Sequence, residues 1–524
     1  MTRISNRGKR FRIILFLIIA AFLLFLNQYL LCVPLNFHSG AFLTELFFFC
    51  LSLSLLLPWK KSEGKKIRLS GSVIYLIALT AVFVIAILIG SPLLGGLHNY
   101  REQSQIEEVD FSSIPSFDKT QVQLVDKNTA KQLGDRVFGT LGSEEVSQYE
   151  MGDDWVQISM NGNLCRVTPI DFGSLFKYIA TGTTPGYVIV DCNTGEARLV
   201  RSEGMKYMKS AWFSRDLYRH LFFHDPFAIT GNAKFELNEE GKPFWVIPVY
   251  DVTWVSKTRD VKGIYTVDPV NGECTYYTKE NAPAWIDNIY PVSVIYDQFA
   301  QTKRYENGLI NLSKKGVVEF TDDYAYVQFN DNVHIYTGVT SVGKDESNVG
   351  FAYVNLRNGK IDYIRRAGAE EYSARSSAEG ALQQYHYSAI FPSMVNVEGR
   401  PTYFMGLVDS ANLIKSYAFV SYENYQNVAT GGTVEEACRN YLKLFGSEDS
   451  DSDRKAEEVC FVISDIRSVV KDGNTLFLYL SDTEKIYYYD MSDADLSASF
   501  LQIGDQVRVL AEEDGRIRSF LPLE

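Results

Sequence analysis

Three long apolar runs occupy residues 13–32, 41–57 and 72–97. Beyond residue 98 the pattern changes to short stretches of alternating apolar and polar positions, rich in Tyr, Phe and Val and broken by Gly-containing turns. A helix rises about 1.5 Å per residue, so about 20 apolar residues cross a hydrocarbon core of about 30 Å. The runs therefore predict three membrane-spanning helices. The second is the shortest and carries Glu45. Ten basic residues sit in two places: Arg3, Arg7, Lys9, Arg10 and Arg12 in the N-terminal tail, and Lys60, Lys61, Lys65, Lys66 and Arg68 between the second and third runs. Their asymmetry predicts a cytoplasmic tail and loop, which makes the chain a multi-pass cell-membrane protein with residues 99–524 extracytoplasmic. The first run is long for a cleaved signal segment. Leu31 is too large to precede a lipidated Cys32. Glu45 is open to two readings, an ion or proton relay group or a carboxylate near a helix end that reaches the interface.

In the remainder, one cassette recurs. It reads Gly186…Val190-Asp191…Thr194-Gly195-Glu196, then Gly263…Val267-Asp268…Asn271-Gly272-Glu273, then Gly350…Val354-Asn355…Asn358-Gly359-Lys360. Both glycines keep their spacing in all three copies, and the copies start 77 and 87 residues apart. Each copy reads as an apolar strand, an Asp or Asn that caps a turn, a Gly with positive φ, and a second strand. Amphipathic helical stretches precede the second and third copies at 211–223 and 284–305, and another at 370–387 opens a fourth unit whose cassette has decayed to Ser416–Tyr422. Residues 433–445 form a last helix with Thr433 as N-cap and Glu435 and Glu436 in its first turn.

The predicted fold class is therefore α+β: three N-terminal transmembrane helices, tandem helix-plus-antiparallel-sheet repeats, and a small C-terminal β-barrel. The boundaries are a membrane domain at 1–98, a polar stalk at 99–127, repeats at 128–205, 206–280, 281–366 and 367–446, an acidic linker at 447–458 and a terminal domain at 459–524. The hairpin at 186–200, and more loosely 263–278 and 350–364, resembles PepSY-type extracytoplasmic domains. That resemblance implies a non-catalytic regulatory or binding module of a bacterial envelope, linked to peptidase control. It carries over no functional residue, because only the turn matches. Five strand-like segments ending in IGDQVRVL resemble a small OB-like barrel.

Charge narrows the partners. Beyond residue 98 there remain 41 basic and 62 acidic residues, a formal charge of about −21. Such a surface excludes nucleic acid as the expected partner, because phosphate binding needs a basic face. Cys165, Cys192, Cys274, Cys438 and Cys460 are scattered, with no CxxC. They read as core thiols, with a Cys165–Cys192 bridge as the alternative.

Candidate chemistry dissolves on inspection. Gly338–Asp345 matches GxxxxGK, but Asp345 stands where a phosphate loop needs Ser or Thr. Asp449, Asp451 and Asp453 have calcium-loop spacing, but Arg454 and Cys460 occupy the Gly and Glu positions. His220 and His224 share a helix face without a third ligand. Trp212, Trp245, Trp254 and Trp285 could line a groove but more often fill cores. No catalytic, cofactor or metal residue is assigned, and no cofactor is expected. The expectation is a membrane-anchored, non-enzymatic scaffold or binding protein of the bacterial cell envelope with a protein or peptide partner. The alternatives are a PepSY-like regulator of an envelope peptidase, and a cell-wall-active enzyme with its acids hidden among surface carboxylates. A transporter built on Glu45 has little support from three spans.

Overall fold

In a computed structural model, the residues described are 25–56, 97–119, 122–253, 258–308, 311, 314–329, 332–342, 348–445, 457–471, 474–483, 485–490, 501–512 and 515–521, with isolated positions at 18–22 and 74–85. No helix among the described residues is long and apolar enough to cross a membrane. The helix in the second run covers 17 described residues, Gly40–Leu56. Half of the first run and most of the third lie outside the described residues. The prediction of three transmembrane helices is corrected accordingly. With it go the integral-membrane partner, the multi-pass cell-membrane assignment and the extracytoplasmic placement of residues 99–524, all of which rested on those spans. Glu45 is instead a local anchor. It accepts hydrogen bonds from Asn27 Nδ2 at 2.6 Å and Gln28 Nε2 at 2.7 Å.

The chain divides into two compact bodies, residues 1–441 and 442–524. In the first, α+β architecture takes the form of four antiparallel sheets in succession, each led by a helix. Helix Lys127–Phe138 precedes the strands spanning Tyr149–Met151 to Ala197–Met205. Helix Leu217–His224 precedes a four-stranded sheet from Lys234–Leu237 to Cys274–Thr278. Helix Val292–Tyr305 precedes the third sheet, which Gln105–Glu108 extends as a parallel edge strand on Lys360–Ile364. Helix Glu371–Ala381 precedes the fourth, from Ser388–Ala389 to Val428–Gly431. The helix starts are chemically defined: Asp126 accepts from Thr129 N–H and Asp216 from Arg219 N–H, both at 2.8 Å. Before helix Val434–Lys443, Thr433 Oγ1 accepts from Glu436 N–H while Glu436 Oε2 accepts from Gly432 N–H.

The three cassettes fold alike. Asp191, Asp268 and Asn355 each accept two backbone N–H groups two and three residues on, the nearer at 2.8 Å every time. Gly195, Gly272 and Gly359 then take φ of +72°, +81° and +74°, as the turn demands. The first glycine of each cassette has a different cause. A Cβ at Gly186, Gly263 or Gly350 would stand 2.0–2.3 Å from a carbonyl oxygen of the following strand, and each glycine sits at a register shift. In the fourth sheet Ser416 occupies the equivalent shift, opposite Leu407.

Packing uses both faces of the sheets. Cys165, Val167 and Ile189 of the first sheet meet Phe235, Trp245 and Val267 of the second in one core. The opposite faces, with Leu164, Val188, Val190 and Ile264, join a second core with Phe299, Ile335 and Val354 of the third repeat. Third and fourth sheets meet through aromatic rings: Tyr336 and Phe351 against Tyr403 and Tyr422, at 5.2–6.4 Å between centroids.

In the second body, five strands run in the order Ile486–Asp490, Asn474–Ser481, Glu457–Lys471, Gln506–Ala511, Ile517–Leu521. The long strand Glu457–Lys471 pairs with one neighbour through its first half and with the other through its second. Among the described residues the two outer strands meet at one isolated bridge, Tyr488–Arg516, and form no ladder. The expected closed barrel is thus corrected to an open sheet folded over its own core of Phe461, Tyr479, Tyr489, Val509 and Ile517.

Candidate binding cleft

The four repeats converge on one cleft of about 330 Å³. The first repeat supplies Asp126, Trp155 and Arg166, the second Lys234, the third Tyr324 and Tyr326, the fourth Phe391. Their placement follows from local structure. Strand Asn163–Phe172 alternates, so Leu164, Arg166 and Thr168 share one face while Cys165 and Val167 face the other core. Trp155 follows the turn at Gly152 and lays its indole against helix Lys127–Phe138. Gly134 of that helix makes room for it: a Cβ there would lie 2.6 Å from Trp155 Cη2.

Arg166 is 5% exposed and Trp155 4%. Arg166 Nη1 donates to the Trp155 carbonyl at 3.3 Å, and the guanidinium carbon lies 5.4 Å from the centre of the Tyr326 ring. Arg166 Nε and Trp155 Nε1 are buried without an acceptor among the described residues, and Arg166 makes no ion pair among them. A buried charge stripped of its partner stands about 3–5 kcal/mol worse off. A cation–π contact returns about 0.5–2 kcal/mol of that. The guanidinium is therefore under-compensated in this wall of the cleft, and an orphaned buried donor of this kind calls for an explanation.

The acids around it are already engaged. Asp154 pairs with Lys209 at 3.2 Å and Lys234 at 3.5 Å. Burial raises its carboxyl, but the two ammonium groups together outweigh that and hold it below the ordinary range. Asp126 caps its helix, and Asp323 Oδ2 accepts from Tyr372 OH at 3.1 Å. The Tyr326 phenol is pushed up by burial, so the cleft presents a neutral ring beneath the guanidinium. Carboxyls raised by burial lie elsewhere, in the interior between repeats. Glu236, fully buried, is pushed up to about 7, Asp287 well above its usual value, and Glu371 is raised beside Tyr336. None of these three lines the cleft.

The residues singled out in the sequence take other places. His220 Nε2 lies 2.7 Å from the Gly272 carbonyl and its ring packs on Tyr207, while His224 meets the Tyr265 ring edge-on. Among the described residues no three His, Cys, Asp or Glu side chains gather as metal ligands. Gly338 lies in strand Asn332–Ser341, where Glu371 Oε1 fills the space a Cβ would need. Gly343, Lys344 and Asp345, the triplet Asp449, Asp451 and Asp453, and Trp254 lie outside the described residues. Trp245 is core, its Nε1 donating to the Tyr207 carbonyl at 2.9 Å. Trp285 packs against Phe244 with ring centres 5.1 Å apart, and Trp212 is exposed. Cys165 and Cys192 are free thiols in different cores, pushed by burial to about 12 and 11.

Arg166 and Trp155 escaped sequence reasoning. The available signal was a lone Arg inside the apolar run Leu164–Ile170, since a charge on an inward face asks for an explanation. Comparison with protein-family models and with curated proteins finds no match for this chain.

Proposed function

We propose that this chain is a non-enzymatic binding protein whose repeats hold a ligand, or a short segment of a protein partner, in the cleft where they converge. The observation that carries the reading is the under-compensated Arg166 on a wall to which all four repeats contribute. The volume falls at the small end of ligand pockets, roughly 300–1,000 Å³. The cleft acid with a shifted carboxyl, Asp154, is lowered and clamped by two lysines, the opposite of what a general acid requires. This favours binding over the cell-wall-hydrolase alternative. The PepSY-like hairpins support the same class of role, with regulation of a peptidase as its narrower form.

A photoreactive residue in place of Phe391, and another in place of the exposed Tyr385 outside the cleft, tests the reading in the full-length chain in cells. Adducts at position 391 and not at 385 are expected. A hydrolytic activity of the purified chain, lost on a single substitution, would overturn the proposal.

A further inference from the structure

Arg166 and Trp155 each bring to the cleft a side chain that only donates hydrogen bonds. Each keeps one N–H without an acceptor among the described residues. Whatever completes them must accept. Because the guanidinium makes no ion pair among the described residues, a negative completing group is favoured.

The remaining surroundings select among anions. Asp126, Asp154 and Asp323 line the same cleft as Arg166, Lys127 and Lys234, so its formal charge is balanced. A phosphate, carrying about −1.5 to −2 charge, would leave a cleft of balanced charge more negative than a singly charged anion would. A carboxylate carries a single charge and matches the planar guanidinium fork bidentately. Tyr324, Tyr326 and Phe391 supply flat walls for an apolar body attached to that carboxylate.

We infer that the cleft takes a small carboxylate-bearing ligand with an apolar or aromatic body, the size of the last one or two residues of a peptide, its carboxylate seated on the Arg166 guanidinium. This rests on the binding reading above and specifies its ligand. Asp154 is paired with both Lys209 and Lys234, a trio that keeps one net positive charge near the guanidinium.

The test titrates the full-length chain calorimetrically with N-acetylated phenylalanine, leucine and their dipeptides, each as free acid and as C-terminal amide, and with inorganic phosphate. Free acids are expected to bind at least tenfold more tightly than their amides. Arg166→Gln is expected to erase the difference. The acid-to-amide ratio needs only the unaltered protein, so it stands even if a variant fails to fold. Equal binding of acids and amides overturns the carboxylate inference while leaving the binding reading intact. Phosphate binding without acid binding overturns it in favour of another anion. No binding by any probe also overturns it, and the adducts at position 391 then decide the binding reading separately.

Discussion

Glu236 Oε2 accepts the backbone N–H of Asp287 at 2.9 Å, so the two carboxyl-bearing residues are held side by side in the interior where three repeats meet. Glu236 Oε1 also accepts from Asn288 N–H at 3.2 Å. Asp287 Oδ2 in turn accepts Ser159 N–H at 2.6 Å, and Asn288 Nδ2 donates to the Gln157 carbonyl at 2.9 Å. One loop of the third repeat is thereby tied to sheets of the first and second.

That arrangement makes stability fall with rising pH. Burial raises both carboxyls, and the Glu236 charge adds to the cost of ionising Asp287. A raised native value means the folded chain holds the proton more tightly than the unfolded one. The associated stability is fully present below the unfolded carboxyl value, about 4.3 for Glu, and is lost as pH rises through about 7 for Glu236. Asp171, raised by burial to about 6, adds to the same trend. Denaturant unfolding at successive pH values should show stability declining by up to roughly 1.4 kcal/mol per pH unit per proton across this window. Glu236→Gln should flatten the decline, and an identical slope in that variant would contradict the assignment.

Gly134 should resist the substitution that usually improves a helix. Gly→Ala in a helix interior ordinarily gains about 1 kcal/mol. Here the new methyl would press on the Trp155 ring at 2.6 Å. Overpacking of this kind costs about 1–3 kcal/mol. Gly134→Ala should therefore lower the thermal midpoint and shift the emission of Trp155. A raised midpoint would show that the indole is not held against the helix.

The cassette turn should distinguish acceptor from charge. Asp191→Ala removes an acceptor of two N–H groups, at 2.8 and 2.9 Å, and should cost about 1 kcal/mol. Asp191→Asn should be close to neutral, since Asn355 makes the same turn in the third repeat. Equal losses in both variants, measured by chemical denaturation, would point to the charge instead.

Tyr336→Phe tests the junction of the third and fourth repeats. Tyr336 OH donates to the buried Glu371 Oε1 at 2.8 Å. Removing that donor leaves a carboxyl less satisfied in the interior, a loss of about 1–3 kcal/mol. Tyr403→Phe instead gives up a hydrogen bond to the Ala369 carbonyl at 2.7 Å and should cost less, because it strips no carboxyl. Reversal of that order would contradict the role given to Glu371.

These comparisons show which features the sequence made legible. The turns at Asp191, Asp268 and Asn355 were readable because an Asx side chain and a positive-φ glycine act within five residues, with no help from the fold. Thr433 was readable for the same reason. The first cassette glycines were visible as a pattern, but their cause, a neighbouring carbonyl about 2 Å from any Cβ, comes from the strand alongside. The apolar runs predicted spans because hydropathy alone sets no helix length. The helix described in the second run, Gly40–Leu56, covers 17 described residues. The last five strands predicted closure because strand count says nothing of whether the outer two form a ladder. The cleft was illegible for a topological reason: its wall draws on positions from Asp126 to Phe391, brought together only when four sheets pack. Glu236 looks like an ordinary surface charge until burial is known.

The most direct measurement is the adduct yield from a photoreactive residue at Phe391 in the full-length chain, compared between the otherwise unaltered protein and Arg166→Gln at equal abundance. A binding cleft anchored by the guanidinium gives a discrete adduct in the first and at least a tenfold lower yield in the second. Equal yields in both, or no adduct in either, would contradict it.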